Sequence, residues 1–141
     1  MSAAQLSALA RTSDPHTALR RFLALDALVT GANGLAYLAA SGPLGRFLGV
    51  GSTPLLELGA FLVVYAAGVG RLASRPRPAA LPVRVVVEAN LAWAVVSCVA
   101  LALWLSPTTA GAVWTVLQAL TVAGFAALQH IALKARQETH P

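Results

Sequence analysis

The stretch LDALVTGANGLAYLAA, residues 25–40, decides how the chain is to be read. In a water-soluble protein its Asn33-Gly34 pair would signal a tight hairpin turn. Here the pair stands in an apolar run of Ala, Leu, Val and Gly that also carries Asp26, Thr30 and Tyr37. In hydrocarbon a hairpin would leave backbone amides and carbonyls unpaired, whereas a continuous helix satisfies them within the segment. Glycine's helix cost, about 1 kcal/mol in water, is small beside that penalty. The pair is therefore expected inside a helix.

The composition supplies the hydrocarbon. Of the 141 residues 57% are hydrophobic and only 11% charged, against about 25% charged in soluble domains. The length allows one domain. The net charge of +5 does not point to nucleic acid, because the basic residues sit at the ends of apolar runs and not on a solvated face interleaved with aromatics. Nine arginines to one lysine, with abundant alanine, fit high-GC codon usage and a bacterial source. Cys98 is the only cysteine, which excludes an internal disulfide framework, a Cys-x-x-Cys pair and a thiolate zinc site; in its apolar run it is expected to pack in the core. The polar opening MSAAQLSALARTSDPH lacks a signal-peptide core, so the first apolar segment is expected to be retained.

Four apolar runs follow, at about 22–40, 55–73, 83–105 and 110–133, each near the roughly 20 residues needed to cross a bilayer. Pro15, Pro54, Pro82 and Pro107 stand before them, where a missing N–H is harmless. Asp14, Thr53 and Ser106 are the expected N-caps of three. The fold class is all-α, a polytopic transmembrane four-helix antiparallel bundle. Residues 1–14 form a polar N-terminal segment, 15–136 the membrane domain and 137–141 a tail.

Arg11, Arg20, Arg21, Arg71, Arg75, Arg77, Arg84, Lys134 and Arg136 flank the runs on one side, and Arg46 alone lies on the other. The positive-inside rule then puts both termini and the middle loop in the cytoplasm, and the protein in a bacterial inner membrane. Trp104 and Trp114 flank the third loop, as an outer aromatic belt would. The first outer loop, with Leu44, Phe47, Leu48 and Val50, is apolar enough to rest on the bilayer surface, although its glycines disfavour a helix.

Spans associate through close backbone approach and interhelical hydrogen bonds. Small-residue ladders at Ala32, Ala36 and Ala40, at Ala66 and Gly70, and at Thr115, Ala119, Ala123 and Ala127 are candidate contact lines. Polar residues also share faces: Asp26, Thr30, Asn33 and Tyr37 on the first span; Asn90, Ala94, Ser97 and Trp104 on the third; Trp114, Gln118, Thr121, Phe125 and Gln129 on the fourth. Such faces turn inward, either for interhelical hydrogen bonding or to line a solute path. Asp26, about 9 Å beyond Arg20 along a helix, has no opposite charge one turn away and needs a partner from another element, with Arg71, Arg84 or His130 as candidates. Glu88, at a comparable depth, has Arg84 one turn earlier. Glu57 suits a helix N-terminus, and His130 a C-terminal interface rather than a metal site.

No nucleophile with a base, metal cluster or cofactor motif is legible, so no enzyme activity, catalytic residue, metal or cofactor is expected. The partners expected are the lipid bilayer and either a second copy or another membrane protein. Two function classes stay open. One is a structural or partner-interaction protein. The other is a small proton-coupled or low-specificity solute transporter using Asp26, Thr30, Asn33, Glu88, Asn90, Gln118, Gln129 and His130 as an ion path. The segments LALDALVTGANGLAYL and VVEANLAWAV resemble the small four-span integral membrane proteins of high-GC bacteria, and size and span count are more loosely similar to DoxX-like proteins. That resemblance implies the fold and carries no activity with it.

Overall fold

The computed structural model describes residues 2–5, 15–103 and 106–139. After a helical turn at 3–5, five helices follow: α1 (Pro15–Ala39), α2 (Ser41–Leu48), α3 (Ser52–Ala73), α4 (Ala80–Leu103) and α5 (Thr109–Thr139). Four of them, α1, α3, α4 and α5, are long and apolar enough to cross a membrane. The chain is an all-helical four-helix bundle of membrane-spanning type. Each long helix starts before its apolar run, and α5 extends past the end of its run. Hydropathy marks the stretch that lies in oil, whereas the backbone goes on closing its hydrogen bonds into the polar boundary.

The capping expectations need correction. Thr53 lies inside the first turn of α3; the cap position is Gly51, with extended backbone and no side-chain hydrogen bond. At α5 the cap is Thr108 and not Ser106: its Oγ1 accepts the Gly111 N–H at 3.1 Å. Asp14 lies outside the described residues, as do Trp104 and Arg11.

The loop expected to rest on the membrane forms the helix α2, with Gly45 and Leu48 buried and Phe47 exposed. Gly49 ends it in the left-handed conformation, φ +73°, where a side chain would be strained. The α2 end is tied across to the loop before α5, where the Thr108 hydroxyl donates to the Phe47 carbonyl at 2.6 Å and the Thr108 N–H to the Leu48 carbonyl at 3.2 Å.

The long helices associate as two pairs, α1 with α3 and α4 with α5, joined through α1 against α5; α3 and α4 barely touch. The α1–α3 crossing explains Gly34. A Cβ on Gly34 would lie 2.9 Å from the Gly59 carbonyl oxygen, and one on Gly59 would lie 2.8 Å from the Gly34 carbonyl oxygen. Gly31 faces Ala66 and Gly70 faces Ala27 on the same contact line. On α1 the line therefore runs through Ala27, Gly31 and Gly34; the expected ladder fails because Ala32 and Ala36 point outward. Ala66 and Gly70 on α3 lie where expected. On α5 Ala119 is buried, but Ala127 is exposed and Ala126 takes the inner position.

The buried apolar core gathers near the end that carries the middle connection, around Leu19, Leu23, Val69, Val83, Ala132 and Leu133. Cys98 is exposed on α4. The core expectation failed for it because in lipid an outward face is as apolar as an inward one, so an apolar run does not reveal which way a residue points.

Replacing Gly59 by leucine should lower the stability of the folded bundle by about 1–3 kcal/mol, read by unfolding in mixed micelles. Gly124→Ala is the contrasting case, because a Cβ there meets nothing within 4 Å; its expected effect is neutral to slightly stabilising, up to about 1 kcal/mol.

Candidate functional site

Asp26 is fully buried, as is Gln129, while Asn90 is 4% and Thr30 7% exposed. Three donors converge on the Asp26 carboxyl group. Thr30 Oγ1, one turn on in α1, donates to Oδ1 at 3.1 Å. Asn90 Nδ2 from α4 and Gln129 Nε2 from α5 both donate to Oδ2 at 2.8 Å. A carboxylate is an acceptor-only group with about four lone-pair positions, and every side chain bonded to it presents a donor.

The amides are themselves oriented. Tyr65 OH from α3 donates to Asn90 Oδ1 at 3.1 Å, which turns the Asn90 NH2 toward Asp26. Asn90 Nδ2 also donates to Gln129 Oε1 at 3.3 Å, which turns the Gln129 NH2 the same way. Each long helix thus contributes at least one side chain to one connected set. Such bonds are worth about 0.6 kcal/mol each in a membrane bundle and at most about 1.7, so the three on Asp26 together contribute roughly 2 kcal/mol.

Two further polar contacts lie along the bundle. Trp93 Nε1 on α4 donates to Gln118 Oε1 on α5 at 2.7 Å, and Gln118 Nε2 donates back to the Thr115 carbonyl at 3.1 Å. Trp114 Nε1 donates to Tyr37 OH at 2.7 Å, joining α5 to α1. Phe61 on α3 stacks with Tyr65 (centroids 6.1 Å apart) and with Trp93 (6.2 Å). These rings bridge α3 to α4 where the backbones stay apart.

Of the residues predicted for a shared polar site, Asp26, Thr30, Asn90 and Gln129 come together. Gln118 lies apart, on Trp93. Asn33 is half-buried and makes no side-chain hydrogen bond among the described residues. Glu88 and His130 are exposed and line a separate shallow pocket of 390 Å³ with Arg84 and Lys134. Helical geometry explains both departures. At 100° per residue, Glu88 lies about 200° round α4 from Asn90, and His130 is turned about 100° from Gln129. When the amides face inward, these two cannot.

The expected partners of Asp26 need the same correction: Arg71, Arg84 and His130 are all exposed, and the carboxyl group is held by a hydroxyl and two amides instead. The expected Arg84–Glu88 ion pair is not formed among the described residues. Sequence reasoning also passed over Tyr65, although a phenol in a span needs a hydrogen-bond partner. Two arginines serve the fold directly. Arg20 Nε donates to the Ala73 carbonyl in the last turn of α3 at 2.9 Å, and Arg136 Nη1 donates to the Pro78 carbonyl. Such bonds satisfy carbonyls that a helix end or loop leaves without partners.

Among the described residues no three His, Cys, Asp or Glu side chains gather, so no metal-holding set is assigned. Chemically, the Asp26 set is a closed hydrogen-bond circuit: Tyr65 orients Asn90 and Asn90 orients Gln129, and no member of the circuit lines the α3–α4 groove or the pocket beside Glu88 and His130.

Asp26→Leu should destabilise the bundle by about 2 kcal/mol or more, since it strips two buried amides of their acceptor. In a double-mutant cycle Asp26→Leu and Gln129→Leu should couple by about 0.6–1.7 kcal/mol, whereas Asp26→Leu and His130→Leu should be additive. Compared with known proteins, the chain matches no family model, no curated protein and no solved structure.

Proposed function

We propose that the chain is a multi-pass inner-membrane protein with a structural or partner-interaction role and no catalytic activity. The observation that carries this reading is the state of Asp26: fully buried, with donors from its own helix and from two others. A carboxylate that loads and releases a proton or solute must be reached by water from one side and then the other. A carboxylate that fixes helix register needs saturation by its neighbours, and that is the arrangement of Asp26, Thr30, Asn90 and Gln129.

The orientation follows from charge. Arg21, Arg71, Arg75, Arg77, Arg84 and Lys134 remain exposed at the end with the middle connection, against exposed Arg46 at the other. We assign the first end to the cytoplasm on the positive-inside rule. The bundle offers its lipid-facing surfaces to a second copy or to another membrane protein.

Two measurements test this. In proteoliposomes carrying a pH gradient, wild type and Asp26→Asn should show the same proton leak and no gradient-driven uptake; uptake by wild type that Asp26→Asn abolishes while the protein stays folded would replace this reading with a transporter. In whole cells, tags at both termini should be protected from externally added protease, and exposure of both tags would reverse the orientation.

A further inference from the structure

At the end that carries the middle connection, α3 and α4 leave between them a groove of 780 Å³. Gly68 and Leu72 on α3 and Val85 and Val86 on α4 contribute apolar walls. Gly68 sets one wall back, since a Cβ there would meet nothing within 4 Å. Arg71, Arg75 and Arg77 line the same groove. All three are exposed, no acidic side chain lines the groove, and among the described residues none of the three forms an ion pair. In this they differ from Arg20 and Arg136, whose guanidinium groups are committed to backbone carbonyls.

Three uncompensated guanidinium groups beside an apolar slot match an amphiphile with an anionic head. Arginine's planar fork suits phosphate oxygens, and basic pockets between membrane helices on the cytoplasmic side are suited to anionic headgroups. Farther along the same two helices, the Phe61–Trp93 stack and the Tyr65–Asn90 hydrogen bond bridge α3 to α4, which leaves room for a flexible chain and not for a helix running through between them. A soluble anion would leave the apolar walls unused. We propose that the α3–α4 groove binds one anionic phospholipid of the surrounding leaflet, with its phosphate on Arg71, Arg75 and Arg77 and an acyl chain in the slot beside Gly68. The site rests on the chain spanning a membrane and is independent of the role given to Asp26.

The test is native mass spectrometry of the full chain released from mixed bilayers of phosphatidylglycerol and phosphatidylcholine. Wild type should retain one phosphatidylglycerol in preference to phosphatidylcholine. Retention should fall about tenfold or more in the Arg71→Gln/Arg75→Gln/Arg77→Gln variant, and should also fall in Gly68→Leu, which fills the slot and leaves every arginine in place. The Arg21→Gln/Arg84→Gln/Lys134→Gln variant removes the same charge from exposed positions at the same end and should retain the lipid as wild type does. Circular dichroism checks that each variant is folded. Undiminished retention in either groove variant, an equal loss in the charge-matched control, or displacement of the lipid by an equal concentration of glycerol phosphate would each overturn the proposal.

Discussion

A carboxyl group inside a membrane bundle constrains everything packed around it, because lipid supplies no hydrogen-bond donors in place of those it loses. Asp26 takes its donors from α1, α4 and α5, and Tyr65 of α3 orients the amide that serves it. Sliding α4 or α5 by one turn, about 5.4 Å, would strand the carboxyl group and at least one amide together. The register of α1, α4 and α5 is therefore fixed at a single level. The apolar core around Leu19, Leu23, Val83 and Leu133 packs tightly at the same end of the bundle.

The remaining helix is fixed by a different force. The α1–α3 crossing depends on Gly34 and Gly59 bringing two backbones into contact, which gains dispersion energy where burial from water offers nothing. The two ends are then closed by side chains reaching carbonyls. Thr108 ties α2 to the loop before α5, while Arg20 and Arg136 reach from the first and last helices onto Ala73 and Pro78 around the middle connection. The basic residues thus divide into two groups. Arg20 and Arg136 hold the fold, and those left exposed at the same end give the bundle its charge asymmetry, with Arg71, Arg75 and Arg77 lining the α3–α4 groove.

Much of this was legible in the residues. Oil forces a chain to close its own amides, so four long apolar runs meant four helices, and the polar residues at helical spacing on the first span had to turn inward; Asp26 and Thr30 did. The partners were not legible, because hydropathy carries no information about how one helix is rotated against the next. That is why arginines were expected beside Asp26 where amides stand, and why Glu88 was grouped with it despite lying on the far side of α4 from Asn90. The alanine ladder on α1 misled for a related reason. In an alanine-rich chain small residues appear on every face, whereas Gly34 marks the face where even a methyl group intrudes. Cys98 shows that a lipid-facing position and a core position share one composition.

With no exposed surface and three donors in place, Asp26 is expected to stay dry and its hydrogen-bond set permanently occupied. Hydrogen–deuterium exchange of the side-chain amides, followed by NMR on 15N-labelled protein in bilayers, tests it most directly. The Asn90 Nδ2 and Gln129 Nε2 protons should remain protected long after the exposed Gln137 amide has exchanged. Exchange at all three sites at the same rate would place water at Asp26 and contradict the account.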